Sequence, residues 1–374
     1  MVNKKIKIVQ VARFAKPHIG GIEEVIEQIN SSLPDDKYQK EVICCSNTEK
    51  SSVENRVKYT RCRYLFDFAA NSISPQLFFK MMFLKTDIIH FHMPVIQNVI
   101  IWFILYHLGL LKYKKLIITY HGAIIGYDKY MKPFWGIYRY FYSKADKIHV
   151  LSPNVIDSDP ILTLYKEKCE IISYGIDTSV DNNTEEVQKI KNLYPNKKII
   201  LCCGRLVNFK GFQYVIQAMK NIDDAILFII GDGPLLDSFN TYITENHLKD
   251  KIVLLGSISD NQLKEIYYQV CDIFVLASIQ TSESFGIVQL EAMKYGKPII
   301  NTNLKTGVNY VSIDKETGIT IESKNVEQLV SAIKELFNND EQRMQYGRNA
   351  KKRVETLFDI KKIKEEYKNL YKGF

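Results

Sequence analysis

The sequence predicts an α/β protein with two doubly wound parallel-sheet domains, and three observations lead to this prediction. First, 374 residues at about 150 residues per domain give two or three domains. Second, 46% hydrophobic and 25% charged residues are the balance of an ordinary globular protein. Third, the chain repeats a unit in which a short run of Val, Ile and Leu leads through a turn into an amphipathic helix pattern.

Twelve such runs are predicted to be strands. Most of them are continuously apolar rather than alternating, as in parallel strands covered by helices on both faces. They are 6–12, 40–46, 87–92, 115–121, 147–152, 169–174, 198–204, 225–231, 251–256, 272–278, 298–303 and 317–322. A polar stretch rich in turn residues separates the first six strands from the last six. We therefore expect a first domain at 1–178 and a second at 179–356.

The cysteines and the apolar segments indicate the compartment. The seven cysteines form no C-x-x-C pair, and four of them are adjacent pairs inside apolar runs, which predicts buried thiols in a reducing compartment. The apolar stretch 99–111 is too short to cross about 30 Å of hydrocarbon and is expected to be a buried or interfacial helix. The basic start of the chain leads directly into a strand pattern. We expect a cytoplasmic protein.

The net charge of +8 belongs to the first half of the chain. Residues 1–174 carry 24 Lys and Arg against 16 Asp and Glu, whereas residues 175–374 carry 26 of each. An uneven positive field suits a polyanion, either nucleic acid or an anionic membrane surface, and solvated lysines explain the excess equally well. Because no nucleic-acid-binding module is recognisable, no nucleic acid partner is expected.

Ligands of open α/β sheets bind beyond the carboxyl ends of the strands, so residues that follow each strand are the candidates for chemistry. Gly20 and Gly21 precede a helix and can let backbone N–H groups approach a phosphate, although a tight turn explains the pair as well. Arg205 and Lys210 follow one strand and can reach the two phosphates of a nucleotide diphosphate. Gly231 begins a GDGP turn that departs from the G-x-G-x-x-G fingerprint, which disfavours a nicotinamide dehydrogenase.

Two glutamates follow another strand at a spacing of eight residues. Glu283 lies on the loop, where a carboxylate can accept hydrogen bonds from sugar hydroxyls. Glu291 lies two helical turns further, where it can hold the hydroxyls of a ribose. Between them, Phe285, Gly286 and Ile287 present backbone N–H groups at a helix N-terminus, which favours phosphate binding.

The phrase ESFGIVQLE, from Glu283 to Glu291, resembles the E-x7-E pattern of the retaining glycosyltransferases of family 4. The other family landmarks follow in order over nearly the whole chain; they are GGIEEV, TYHG, VLSP, YGID, GRLVNFKG, GDGP, CDIFVLAS and EAMKYGKPII. The resemblance implies the GT-B architecture, in which two Rossmann-like domains face each other across a cleft. It also implies that a C-terminal helix, here about 357–374, packs back on the first domain.

The resemblance implies a role for each candidate residue. Arg205 and Lys210 would neutralise the diphosphate leaving group, Glu291 would bind the ribose, and Glu283 would bind the transferred sugar. His121 would contact the donor sugar near its reacting centre, and a structural core histidine is the alternative. The chemistry would rest on preorganised charge, with the departing phosphate taking the acceptor proton. A nucleophilic Glu283 is the less favoured alternative.

The backbone candidates have implied roles as well. Gly20 and Gly21 would close over the phosphates from the first domain, and the backbone of 285–287 would contact the phosphates and the sugar. At position 174 the chain has Tyr where Asn is common in the family.

No metal or other cofactor is expected, because the nucleotide sugar is a substrate. Asp157-Ser158-Asp159 spells the D-x-D string that holds a cation in the other large glycosyltransferase fold. Its setting among Ser, Asn and Pro predicts helix capping instead. His90 and His92 alternate at a strand end, but no carboxylate or thiol follows at metal-ligand spacing.

The resemblance predicts retaining transfer of a hexose from GDP-mannose or a UDP-sugar in O-antigen or capsule biosynthesis. The phrase 303–321 resembles the O-antigen mannosyltransferase branch, which favours GDP-mannose. The basic first half and its apolar segments, 78–85 and 99–115, suit a lipid-linked or glycan acceptor at the inner face of an anionic membrane, and plain core helices are the alternative. A non-catalytic nucleotide-sugar-binding protein is the alternative function.

Overall fold

The chain forms two compact units in the computed structural model. The first unit contains residues 1–175 together with 361–374, and the second contains residues 176–360. The chain therefore passes between the units at Gly175 and again at Ile360. The residues that the structure describes are 4–18, 20–68, 71–122, 132–180 and 184–372.

The first unit is built on a mostly parallel sheet. Its strands in chain order are β1 (Ile6–Val11), β2 (Tyr38–Cys45), β3 (Ser52–Glu54), β4 (Val57–Cys62), β5 (Phe66–Phe68), β6 (Asn71–Ile73), β7 (Ile88–Met93), β8 (Lys115–Tyr120), β9 (Lys147–Val150) and β10 (Cys169–Ile171). The order across the sheet is β10-β9-β8-β7-β1-β2-β4-β3, and β5 pairs with β6 in a separate antiparallel hairpin. Because strands are added on both sides of β1, the strand order reverses between β1 and β7.

The second unit is a six-stranded parallel sheet. Its strands are β11 (Lys198–Cys203), β12 (Ala225–Ile230), β13 (Ile252–Gly256), β14 (Ile273–Leu276), β15 (Ile299–Thr302) and β16 (Gly318–Ile321). They lie in the order β13-β12-β11-β14-β15-β16, which is the doubly wound order of dinucleotide-binding sheets. The strand order reverses between β11 and β14, so a ligand is expected beyond the carboxyl ends of these two strands.

Helices connect the strands in both units. In chain order they are α1 (Gly21–Ser32), α2 (Pro75–Met82), α3 (Ile96–His107), α4 (Trp135–Lys144), α5 (Asn154–Ser158), α6 (Pro160–Leu164), α7 (Thr184–Leu193), α8 (Phe212–Ala218), α9 (Leu236–Glu245), α10 (Asn261–Val270), α11 (Ile287–Met293), α12 (Gly307–Val311), α13 (Val326–Asn338), α14 (Asp340–Leu357) and α15 (Ile360–Tyr371). Each unit buries its own core, around Phe91 and Trp102 in the first and around Leu227 and Ile300 in the second.

The last helix, α15, contributes to the core of the first unit. The Tyr371 hydroxyl is hydrogen-bonded to His90 Nδ1 at 2.5 Å, and the Tyr367 ring packs edge-on against His149 at 5.3 Å. Tyr174, where the sequence departs from the family phrase, is also buried in this unit. The end of the chain is thus held by buried aromatic contacts with β7 and β9.

All twelve predicted strands are confirmed, with small differences at their ends. The prediction missed β3 to β6, because these strands are short or polar. In β4, Thr60 and Arg61 are buried, and Arg61 donates to the carbonyls of Lys50 and Lys16 at 2.8 and 2.7 Å. A buried charge whose partners are distant backbone groups gives no apolar pattern in the sequence.

The stretch 99–111 is mostly in α3, where Val99 and Trp102 are buried and Ile104 is partly exposed. Among the described residues, no helix is both long and apolar enough to cross a membrane. The seven cysteines are free, and all except Cys169 are buried.

Candidate active site

The predicted lysine and glutamate meet at the carboxyl edge of the second unit, beyond the ends of β11 and β14. Lys210 Nζ lies 2.5 Å from Glu283 Oε2, and the Ser278 hydroxyl donates to the same oxygen at 2.9 Å. The Thr306 hydroxyl donates to the backbone carbonyl of Glu283 at 2.8 Å. The side chains of Lys210 and Glu283 are only 17% and 10% exposed. A cation and a carboxylate are therefore held, half-buried, where the strand order reverses.

The loop that carries Lys210 packs directly on the end of β14. Gly211 has a φ of +73°, and a Cβ there would lie 1.9 Å from the carbonyl oxygen of Ala277. The Ile279 N–H donates to the carbonyl of Phe209 at 2.7 Å. Only glycine tolerates both this backbone angle and this approach, so GFKG-type packing of the loop depends on Gly211.

The backbone between the two predicted glutamates forms the start of α11. Gly286 is the N-cap residue with a φ of +73°, and a Cβ there would lie 2.7 Å from Leu276 and Gln289 side-chain atoms. The Phe285 side chain is buried against Phe358, with ring centroids 6.1 Å apart. Phe285 therefore anchors the loop, while the N–H of Ile287 has no acceptor within its own helix.

Glu291 forms a second polar cluster in the same unit. It accepts hydrogen bonds from Lys264 Nζ at 2.9 Å and from the Tyr268 hydroxyl at 2.5 Å. Burial alone would lower the pKa of Lys264, but the charge of Glu291 outweighs it, so that the pKa is raised. Lys264 and Tyr268 were not predicted, because they lie within α10 rather than at a strand end and no sequence signal distinguishes them.

The remaining candidates of the second unit differ in setting. Arg205 is exposed, and its side chain makes no hydrogen bond or ion pair with the described part of the chain. Gly231 has a φ of +149°, and a Cβ there would lie 1.9 Å from the carbonyl oxygen of Gly204. The Leu206 N–H donates to the carbonyl of Asp232 at 2.9 Å. Gly231 thus lets the loops after β11 and β12 pack backbone to backbone.

In the first unit, His121 directly follows β8 and is 7% exposed. Its Nε2 is 2.9 Å from His92 Nδ1, and His92 Nε2 is 2.9 Å from Gln10 Oε1. Burial lowers the pKa of both histidines well below the ordinary value, so both are neutral at physiological pH. His121 is therefore one end of a neutral hydrogen-bonded chain.

The predicted glycine pair lies at the start of α1, with Gly20 in an extended conformation and Gly21 as the first helical residue. The carboxylate of Glu23 lies over Gly20, where a Cβ would be 2.5 Å from Oε2. Glu23 is buried, and its Oε1 is 2.9 Å from His18 Nδ1. A carboxylate therefore covers one side of this helix start.

The D-x-D string is used for helix capping at its second aspartate. Asp159 accepts hydrogen bonds from two backbone N–H groups in the first turn of α6, at 2.8 and 3.2 Å, which confirms the capping interpretation. Asp157 is exposed. Both ring nitrogens of His90 and of His92 are hydrogen-bonded to protein groups. These histidines therefore offer no free lone pair to a metal.

Two family descriptions match the chain: Glycosyltransferase Family 4 over residues 19–180, and Glycosyl transferases group 1 over residues 183–353. The chain is 27% identical over 359 residues to the O-antigen chain mannosyltransferase C of Escherichia coli, covering 94% of each protein. It is also 27% identical over 347 residues to the D-rhamnosyltransferase WbpZ of Pseudomonas aeruginosa, covering 91% of this chain and 88% of that protein.

Solved structures support the same fold. The sucrose-phosphate synthase from Thermosynechococcus elongatus superimposes with a TM-score of 0.78 and 20% identity, over 98% of each chain. At this identity the similarity concerns the fold alone. The family descriptions, the order of the motifs and the two doubly wound units agree, and the chain therefore belongs to the family 4 glycosyltransferases and has the GT-B fold.

Proposed function

We propose that this glycosyltransferase transfers a hexose, with retention, from a nucleotide diphosphate sugar to a lipid-linked or glycan acceptor in cell-surface polysaccharide biosynthesis. The observation that carries the proposal is the pair formed by Lys210 and Glu283 beyond β11 and β14. A cation suits the diphosphate, and the neighbouring carboxylate suits the hydroxyls of the attached sugar. The names of the two relatives, which concern mannose and rhamnose transfer, favour GDP-mannose over a UDP-sugar.

Lys210 and Arg205 neutralise the diphosphate as it leaves. Lys210 is kept charged and in place by Glu283 before the donor binds, while the exposed side chain of Arg205 is available to the second phosphate. In the reaction, the bond from the sugar C1 to the phosphate oxygen breaks and a bond to the acceptor oxygen forms on the same face. The acceptor proton passes to the departing phosphate, so no protein nucleophile is needed. Preorganised positive charge lowers the barrier, and no metal is required.

The rest of the donor is held by the neighbouring groups. Glu291 accepts hydrogen bonds from the ribose hydroxyls, and the N–H groups at 285–287 contact the phosphates and the sugar. In the first unit, His121 contacts the transferred sugar, and Gly20 and Gly21 contribute backbone N–H groups to the phosphates.

A cavity of about 390 Å³ in the first unit supports an acceptor site. It lies beyond the carboxyl ends of β1, β2 and β4, and its walls include the aromatic rings of Phe14 and Tyr64 and the polar side chains of Asn47 and Glu49. Sugar rings pack against aromatic faces while their hydroxyls need donors and acceptors. We assign this cavity to the saccharide part of the acceptor.

Exposed apolar side chains lie next to this cavity in the chain. Leu65 and Phe66 directly follow the wall residue Tyr64 and are 71% and 56% exposed, and Phe79 and Phe83 of α2 are exposed as well. With the positive charge of the first half, these side chains support peripheral contact with an anionic lipid surface. We place the enzyme in the cytoplasm, at the inner face of the membrane that carries its acceptor.

Binding to a panel of GDP, UDP and ADP sugars with EDTA present tests this function. We expect micromolar, selective binding of one donor, followed by release of its nucleotide when acceptor is added. Failure of a folded protein to bind any donor would contradict the proposal. Donor binding without nucleotide release to lipid-linked or free glycans would favour the alternative, a non-catalytic nucleotide-sugar-binding protein.

A further inference from the structure

His121 ends a chain of buried hydrogen bonds that crosses three adjacent strands of the first unit. Gln10 lies on β1, His92 lies on β7, and His121 directly follows β8. The two links, Gln10 to His92 and His92 to His121, are both 2.9 Å long. Gln10 and His92 are 1% and 0% exposed, so water does not compete for these groups.

The direction of the chain is set by Gln10. Its amide nitrogen donates to Asn30 Oδ1 at 2.7 Å, so its oxygen faces His92 Nε2. A carbonyl oxygen only accepts, and His92 Nε2 must therefore carry the proton. A neutral imidazole has one N–H, which leaves His92 Nδ1 as an acceptor. It follows that His121 Nε2 donates and that His121 Nδ1 is unprotonated.

The far end of the chain fixes the orientation of Asn30. The Tyr59 hydroxyl donates to Glu27 Oε1 at 2.5 Å, and a carboxylate only accepts. Burial raises the pKa of Tyr59, and among the smaller effects the side chain of Asn30 lowers it, as a donor to the Tyr59 oxygen does. The amide nitrogen of Asn30 thus faces Tyr59 and its oxygen faces Gln10.

We propose that Gln10 and His92 are positioning residues that hold His121 as the Nε2-protonated tautomer, so that its Nδ1 accepts a hydrogen bond from a hydroxyl of the substrate sugar. This inference rests on the proposed function, because it concerns the role of His121 there. His121 Nδ1 makes no hydrogen bond with any residue that the structure describes. The lone pair is therefore available to substrate.

Nitrogen-15 NMR of the full-length protein, labelled only at its seven histidines, tests the tautomer without any substrate. His121→Gln assigns the signals. We expect a pyrrole-type Nε2 and a pyridine-type Nδ1 for His121 in the wild type. Gln10→Leu removes the acceptor and should reverse the two assignments. The matched control is Thr119→Val, which breaks buried hydrogen bonds to His90 and His149 but leaves the chain to His121 intact; it should leave the His121 signals in place.

Activity then connects the tautomer to the reaction. We expect Gln10→Leu to lower kcat about 10- to 100-fold with little change in the KM for donor, as losses of groups that orient a functional histidine do. A protonated Nδ1 in the wild type, or an unchanged tautomer in Gln10→Leu, would overturn the inference. A reversed tautomer with unchanged kcat would overturn the role of His121, whereas nucleotide release that depends on Lys210 would still support glycosyl transfer.

Discussion

The two units share a doubly wound sheet but place different groups at its carboxyl edge. In the second unit, Lys210 with Glu283 and Lys264 with Glu291 are half-buried ion pairs. In the first unit, the corresponding edge carries neutral histidines in a hydrogen-bonded chain that ends at His121. The difference follows the charge of the ligand that each edge is proposed to meet. A diphosphate needs fixed positive charge, whereas sugar hydroxyls need neutral donors and acceptors.

Physical chemistry makes each arrangement stable without ligand. An isolated buried cation would be costly, and Glu283 offsets that cost for Lys210 until an anion takes its place. Buried imidazoles avoid the cost by staying neutral, provided that their nitrogens are hydrogen-bonded. The same rules predict that the two units respond differently to pH and to mutation.

Acidification should separate the two units most strongly. Burial lowers the pKa of His90, His92 and His121 well below 6.5 and that of His149 to about 4. The unfolded chain therefore binds protons that the folded first unit does not, and stability present above pH 6.5 is lost as the pH falls toward 4. The loss is about 2 kcal/mol per histidine at pH 5.

Tryptophan fluorescence measures this loss, because Trp102 and Trp135 both belong to the first unit. The urea midpoint of the fluorescence transition should fall sharply between pH 7.5 and pH 5. Equal midpoints at the two pH values would show that these histidines are not held neutral.

Lys210→Ala should have the largest effect on catalysis. It removes charge stabilisation of the leaving diphosphate and leaves Glu283 without its cation, so we expect kcat to fall about 10³-fold. The matched control is Lys334→Ala, an exposed lysine on α13 of the same unit. Nucleotide release from the donor measures both. Similar rates for the two variants would remove Lys210 from the proposed site.

Glu283→Gln should separate sugar recognition from diphosphate binding. The amide can still accept from Ser278 but lacks the charge, so we expect about a 10²-fold lower kcat. Lys210, released from its partner, should bind a free nucleoside diphosphate at least as tightly as before. Calorimetry with the diphosphate alone and kinetics with the full donor distinguish the two effects. A much weaker affinity for the diphosphate with unchanged kcat would reverse the assignment.

Glu291→Gln should have the smallest effect, about a tenfold weaker affinity for nucleotide. If Glu291 binds the ribose, the wild type should discriminate against a 2′-deoxynucleotide and the variant should not, since the two changes remove one interaction. Glu327→Gln on α13 is the control. Additive losses from the deoxy substitution and from Glu291→Gln would show that the carboxylate acts elsewhere, for example only on Lys264.

Much of this architecture was predictable from the sequence, because buried parallel strands are continuously apolar and the candidates for chemistry follow them. Lys210 and Glu283 were both predicted on this basis, and the structure brings them into contact. Lys264 was not predictable, because a lysine within an amphipathic helix looks like any solvated residue. The link between Gln10 and His92 depends on which strands are neighbours, and that order is a property of the whole sheet rather than of any local pattern.

The central claim is that the donor nucleotide binds beyond β11 and β14 of the second unit. Hydrogen exchange of backbone amides, read by mass spectrometry with and without GDP or UDP in EDTA, tests it most directly. The account predicts slower exchange in peptides covering 204–211 and 278–291, and unchanged exchange in the cavity loop 44–49 of the first unit. Slower exchange confined to the first unit, with 204–211 and 278–291 unaffected, would contradict it.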